Sequence, residues 1–479
     1  MRTAGAAFSL LPGGDRMKIS PLATVARWAG AGLVRGSPSL PIHKVVFDSR
    51  EATAGALFVA LEGEQRHGIH FAVDALKRGA AAVLCDPGCS RHHDGPSLEA
   101  PSALEALSAL ARGYRQQDRH QTPALAVTGS VGKTTTCCMI HDLLAATHRV
   151  HAPRDSYNNQ IGVPITILEA PPETEVLVLE VGTSSIGEIA ARTEVAQPSH
   201  GVITAISEAH LAGLGTLEAI RREKFSLLDR LEGDHRWAPV EWRARMGEQG
   251  SLFHWTGPAG DLEVQRQQED AVTVIDRLRG REYDLPWALP TSWALRCFES
   301  ALAVVLDFIS DPQLLAAAVV KLSLPRLRHE LRSADDVELI LDCYNSSPYA
   351  LNCAIDDLSQ SSARRKVAVI GTMEELGAEE KRLHIEAGRT CARSKLDLVF
   401  LRGRAAEWYA KGLAEDSGEC DVVLIEDGDR AATQICQRLE PGDSVLFKAS
   451  RKEQLDQLAT EVEQRLVTRH QISQQGGES

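Results

Sequence analysis

The stretch ALAVTGSVGKTTTCCMIHDLLAA, residues 124–146, decides the reading of this chain. Ala124 to Val127 is apolar on both faces, as a strand buried in a parallel sheet must be. CCMIHDLLAA reads as a helix. Between them Gly129-Ser130-Val131-Gly132-Lys133-Thr134-Thr135 forms a glycine turn that opens the helix. Backbone amides of such a turn and of the helix N-terminus can cradle phosphate oxygens. Lys133 can neutralise the outer phosphates, and the Thr134 hydroxyl can hold magnesium. The long phosphate loop has glycine five residues before Gly132; Val127 stands there, so this loop is of the shorter GxxGKT form.

Outward from the loop, buried-strand runs alternate with helices. Val176 to Val181 and Gly201 to Ile206 continue the parallel sheet. Residues 17–100 mix short strands (Val45–Phe47, Ala56–Leu61, Ala81–Leu84) with a helix at Phe71–Lys77. A helix with Leu104, Leu107, Leu110, Ala111 and Tyr114 on one face leads into the second segment. From about Pro325, strands at Val337–Leu341, Val367–Ile370, Leu396–Leu401, Val422–Ile425 and Ser444–Phe447 alternate with helices, a doubly wound pattern. The expected fold is therefore α/β in three domains. These are a small mixed α/β N-terminal domain (17–100), a central phosphate-loop parallel-sheet ATPase domain (101–324) and a C-terminal doubly wound, Rossmann-like domain (325–468). Residues 1–16 read as a disordered extension and 469–479 as a polar, disordered tail. The stretch 233–293, with Trp237, Trp242, Trp255, Trp287 and Trp293, gives no clear pattern; Phe298–Phe308 after it reads as a buried helix.

A chain of 479 residues is long enough for several domains, and 43% hydrophobic with 24% charged residues is a globular balance. The net charge of −13 and the lack of a basic stripe argue against nucleic acid. No apolar run approaches the ~20 residues of a membrane span. Ten scattered cysteines fit reduced thiols, hence a cytoplasmic location. Cys85, Cys89, His92 and His93 have a spacing compatible with zinc, but no second ligand pair of matching spacing follows.

The loop TGSVGKTTT closely resembles that of the Mur ligase family, which forms amide bonds in peptidoglycan precursors. The resemblance runs through nearly the whole chain: FDSREATAGALFVALEGEQRHGIHFAVDALKRGAAAVL, then SYNNQIGVPITIL, EVGTSSIGEI and SEAHLAGLGTLEAI, then DCYNSSPYAL, GTMEELG and GDSVLFKASR. Within the family, GEI, EAHL and YNSSP are most similar to the branch that adds D-alanyl-D-alanine to UDP-N-acetylmuramoyl-tripeptide. The resemblance implies ATP and Mg2+ as cofactors, those two molecules as substrates, an acyl-phosphate intermediate, and a monomer.

It also implies roles. Lys133, His210 and Lys224 are expected to be catalytic, with Lys224 carbamylated. Thr134, Glu180 and His210 are expected at the metal. Gly129 to Thr135, Asn159, Arg328 and Asp342 are expected at ATP. Asp48, Ser49, Arg50, Asn158 and Asn345 are expected at the substrates. Each has a plainer reading. Glu180 can simply end a strand, His210 can be structural, and Lys224 reads as an ordinary helix-surface lysine. Asn158, Asn159 and Asp48-Ser49-Arg50 suit turns, and Lys448, Ser450 and Arg451 suit a solvated loop. The chain also departs from the family pattern. Arg296 and Cys297 replace a His-Asn pair that contacts adenine; Arg296 could stack on the base. Leu327 replaces a hinge glycine, and Thr372 replaces an aspartate. A ligase with a different acceptor, and an ATP-binding scaffold with little catalysis, are the alternatives.

Overall fold

The computed structural model describes residues 17–476, except 64, 269, 290, 417–419 and 427–429; the extension expected over 1–16 lies outside them. The first unit is a five-stranded sheet in the order Gly32–Arg35, Ser97–Glu99, Ala82–Cys85, Ala56–Val59, Lys44–Val46, parallel except at Gly32–Arg35. Its core is closed by the helix Ala103–Asp118, whose Leu107, Leu110, Ala111 and Tyr114 are buried. That helix packs on the helix Leu22–Ala29 on one side and on the helices Gly162–Glu169 and Glu188–Ala196 on the other. It is thus a shared seam between the first two units rather than the start of the second.

The central sheet has nine strands, in the order Arg281–Pro286, Ala271–Asp276, Leu262–Gln268, His254–Thr256, Arg236–Pro239, His200–Ile203, Ala124–Thr128, Val176–Glu180, Val150–His151. The stretch without a clear pattern is the source of its far half. Strands from Val150 to Leu262 pair in parallel, and the last three pair antiparallel. Trp237, Trp242, Trp255 and Trp287 are buried there. Two of its strands, Arg236–Pro239 and His254–Thr256, are only four and three residues long, too short for a period-2 reading.

The third sheet runs Glu330–Ala334, Val337–Leu341, Asp443–Lys448, Arg365–Ile370, Leu398–Leu401, Asp421–Leu424, parallel after the first pair. The final helix, Leu455–Gly476, continues past Thr468, so the tail expected to be unstructured there is helical as far as Gly476. Its buried Leu455, Leu458, Ala459, Val462 and Leu466 fasten it to the sheet. The hinge into this unit is bent sharply: Leu327 and His329 both have φ of 59°, a left-handed conformation unusual for residues with a Cβ. Among the described residues no helix is long and apolar enough to cross a membrane. All ten cysteines are free.

Candidate functional site

The chain leaves the C-terminal end of Ala124–Thr128 at Gly129, where parallel sheets bind ligands. A Cβ on Gly129 would lie 1.9 Å from Thr204 Oγ1. At Gly132 (φ 86°) it would lie 2.5 Å from the Trp293 ring and 3.0 Å from Cys297 Sγ. Only glycine fits either place. The helix Lys133–Leu144 follows at once, and no side chain caps its N-terminus. Its first-turn amides are therefore available to an anion.

Lys133 Nζ donates to Gly129 O at 2.9 Å. Burial lowers its pKa, and Glu180 opposes that shift. Glu180 is itself 1% exposed. One of its oxygens accepts from Thr134 Oγ1 at 2.7 Å and the other from Asn158 Nδ2 at 2.6 Å. Arg328 arrives from the hinge, donates to Thr134 Oγ1 at 2.9 Å and to Ser156 Oγ at 3.3 Å, and stacks its guanidinium 4.4 Å above the Tyr344 ring. The left-handed turn at Leu327 and His329 flanks this residue. The hinge is therefore shaped to drive a third-domain arginine into the phosphate loop.

These groups line a cavity of about 310 Å³ between the central and third units. One wall is the loop with Ser156, Asn158, Asn159, Glu180 and His210. The facing wall carries Arg328 from the hinge and Asp342, Asn345 and Lys448 from the third unit. Lys448 Nζ holds Asp342 Oδ2 at 2.9 Å and donates to the Asn345 carbonyl at 2.9 Å. Asn159 lines the cavity, but its Oδ1 accepts from Ile161 and Gly162 amides and so holds the start of the next helix.

The donor set suits magnesium. Thr134 supplies a hydroxyl oxygen and Glu180 a carboxylate oxygen side by side, and Mg2+ binds through one or two carboxylates plus substrate phosphates. His210 lines the same cavity, yet its Nδ1 pairs with Glu375 of the third domain. Both residues have left-handed backbone, φ 55° and 64°. His210 is thus also a cross-domain contact, and the Glu375 carboxyl is held below its usual range by that imidazole. Nothing in the residue type of Glu375 distinguished it within GTMEELG.

The plainer reading of Lys224 fails: it is 1% exposed, not a helix-surface residue. Burial and the neighbouring Lys133 push its pKa well below the ordinary lysine value. The helix Leu217–Leu228 is turned inward because Glu223 beside it is also buried and accepts the Gly187 and Ile189 amides, each at 2.7 Å. That carboxylate anchors the start of the helix Glu188–Ala196.

Arg296, which could have stacked on the base, is turned away from the cavity. It donates to Tyr349 OH at 3.0 Å, outside the cavity lining. The aromatic groups on the cavity wall are Tyr344, beneath Arg328, and Trp293, edge-on to Tyr349 at 5.7 Å. Cys297 is fully buried beneath Gly132. Cys353, Asp357 and His329 complete this side. Trp293 was legible only as one tryptophan among five, because its place depends on how two domains meet.

Asp48, Ser49 and Arg50 are not among the residues lining this cavity. Asp48 caps the turn Ser49–Glu51, Arg50 folds back on it at 2.6 Å, and Ser49 Oγ donates to Asp74 at 2.9 Å. Among the described residues Cys85, Cys89, His92 and His93 do not converge as metal ligands; His200, His235 and Asp307 do.

Three family models match the chain: the Mur ligase family catalytic domain over residues 41–115, the Mur ligase middle domain over 127–238, and the Mur ligase glutamate ligase domain over 327–451. A UDP-N-acetylmuramoyl-tripeptide--D-alanyl-D-alanine ligase from Bacillus subtilis is 31% identical over 447 residues, covering 90% of this chain and 97% of that protein. One from Synechocystis is 31% identical, covering 86% and 90%. The crystal structure of MurF ligase from Thermotoga maritima in complex with ADP is 26% identical with a TM-score of 0.77, covering 89% of this chain and 98% of that one. MurF from Acinetobacter baumannii, at 23% identity, shares the fold with a TM-score of 0.84 over 94% and 99%.

Proposed function

The chain belongs to the Mur ligase family, and on that premise we propose that it is the ATP-dependent ligase that joins D-alanyl-D-alanine to UDP-N-acetylmuramoyl-tripeptide. The observation that carries this reading is the buried pairing of Thr134 and Glu180 beside two cations, Lys133 and Arg328. Such a surplus of buried positive charge favours a polyphosphate and an approaching carboxylate together.

The chemistry follows from that placement. A tripeptide carboxylate oxygen attacks the γ-phosphorus of ATP, and the bond to ADP breaks. Lys133 and Arg328 offset the charge that spreads over the transferring group. The amine of the dipeptide then attacks the acyl carbon, loses a proton, and phosphate leaves with one former carboxylate oxygen. The protein supplies orientation and charge more than covalent work. Mg2+, held by Thr134 and Glu180 with His210 nearby, would supply further neutralisation of the phosphates. Lys224, whose charged form is disfavoured by burial and by Lys133, suits reaction with carbon dioxide to give a carbamate, an anion able to face that metal. Asn158 and Asn345 flank the reacting end, and Asp342 the nucleotide. Trp293 offers the base an apolar face in place of the absent His-Asn pair. Asp48, Ser49 and Arg50 serve the UDP-sugar from the first domain, where Arg50 must first release Asp48 to hold a phosphate. The reaction is assigned to the cytoplasm and to a monomer.

The test is ADP release measured with each substrate omitted in turn. Release that needs both the UDP-muramoyl-tripeptide and D-alanyl-D-alanine supports the reading. Equal release with another amino-acid acceptor favours a sister ligase, and nucleotide binding without turnover favours a scaffold.

A further inference from the structure

The N-terminal end of the strand His200–Ile203 carries a cluster that the ligase reaction does not use. His200 Nε2 lies 3.4 Å from Asp307 Oδ2, and His235 Nδ1 lies 2.9 Å from the same oxygen. The two imidazoles stack with centroids 4.1 Å apart. One ligand atom from each of the three residues falls within 4.8 Å of the other two. Ligands around a tetrahedral zinc, bonded at about 2.0–2.1 Å, stand roughly 3.3 Å apart, so the closest pairs are already near that spacing.

The surroundings prepare these groups as ligands. Ser199 Oγ is 2.8 Å from His200 Nδ1 and 3.3 Å from the Ala124 carbonyl. With the proton on Nδ1, the imidazole donates to Ser199, Ser199 donates to Ala124, and Nε2 keeps its lone pair directed at Asp307. A hydrogen bond on the non-ligating nitrogen is the usual partner of a metal-bound histidine. The other oxygen of Asp307 is held by Arg279. The Arg279 charge is balanced by Asp276, fully buried at 2.9 Å, so it does not cancel the negative charge of Asp307. Phe308 closes one side, 5.2 Å from the His200 ring. His235 is the solvent-facing member, its side chain 45% exposed, which gives an ion a route in.

We propose that His200, His235 and Asp307 form a structural site for a borderline transition-metal dication such as Zn2+, with water in a fourth position. Two imidazoles and one carboxylate suit zinc over magnesium, which prefers oxygen donors alone. The site joins the starts of two neighbouring parallel strands to the residue just beyond the helix Ser292–Val305. It is separated from the phosphate loop by the length of the strand, about 13 Å.

The test uses the full-length protein, stripped with a chelator and titrated with Zn2+ while excess Mg2+ occupies oxygen-donor sites. The expected result is one Zn2+ per chain and a melting temperature raised by about 2–4 °C. His235→Ala and Asp307→Asn should each weaken Zn2+ binding at least ~10-fold, and Ser199→Ala about 10-fold through the lost orientation. If Asp307→Asn fails to fold because Arg279 loses its partner, the exposed His235→Ala and the visible absorption of Co2+ in the unaltered protein still decide. No bound zinc, or unchanged binding in His235→Ala, would overturn the proposal and leave the cluster a metal-free ion pair.

Discussion

On the phosphate side of the cavity, Gly129 to Thr135 bring the loop, a cation and a hydroxyl together from one unbroken stretch. On the other side, Trp293, His329, Cys353 and Asp357 come from the helices Ser292–Val305 and Pro348–Gln360 and from the hinge between domains. The first side is a local structure whose geometry is dictated by two glycines and a helix start. The second exists only when two domains meet. Substitutions on the first should therefore strike the chemical step, and those on the second should strike binding.

The largest expected effect is at Lys133. Lys133→Ala should lower the rate of ADP release in the complete reaction by about 10²–10³-fold, as loss of a transition-state charge partner does. A change only in KM would break the distinction between the two sides. Next is Lys224, where Lys224→Met keeps the burial but cannot carry a carbamate. Activity should fall by roughly 10²-fold in this variant. The unaltered enzyme, depleted of carbon dioxide, should lose activity and regain it with bicarbonate. Insensitivity to bicarbonate would remove the carbamate from the account.

A smaller effect is expected from Trp293→Ala. It should raise the KM for ATP about 10-fold, with kcat changed less than about 2-fold, while Trp293→Phe stays near the original. A collapse of kcat instead would mean that the tryptophan positions Gly132 rather than the base. The smallest effect concerns His210 and Glu375. The Glu375 carboxyl lies below its ordinary value of 4.5 because His210 holds it. A lowered folded-state pKa means that this contact is present above the ordinary value and is lost as pH falls through the lowered one. Glu375 is more than half exposed, so the contribution is small. Glu375→Gln should flatten the acid side of the domain-closure profile measured by small-angle scattering, without moving the neutral end.

The same contrast explains what the sequence revealed. The phosphate loop, Glu180 and the order of buried strands were legible because each is set by neighbours in the chain. The plainer, surface reading of Lys224 fails because a polar-looking run, Arg221 to Lys224, hides a buried carboxylate that anchors another helix. Whether Arg296 meets the base was left open by the sequence, and Glu375 was not singled out; both depend on contacts across domains. The far half of the central sheet was not legible because two of its strands have only three and four residues and its tryptophans carry no period. The cluster at His200 was likewise missed, since its ligands are spread along the chain, whereas the compact spacing at Cys85 to His93 drew attention to a place where no site forms among the described residues.

The most direct test of the central claim, that the tripeptide carboxylate meets the γ-phosphate beside Lys133 and Glu180, follows an oxygen atom. With both carboxylate oxygens of the tripeptide carrying a heavy isotope, one turnover with ATP and D-alanyl-D-alanine should place one heavy oxygen in the released phosphate. Phosphate free of the label, with the amide product formed, would contradict an acyl phosphate at this site.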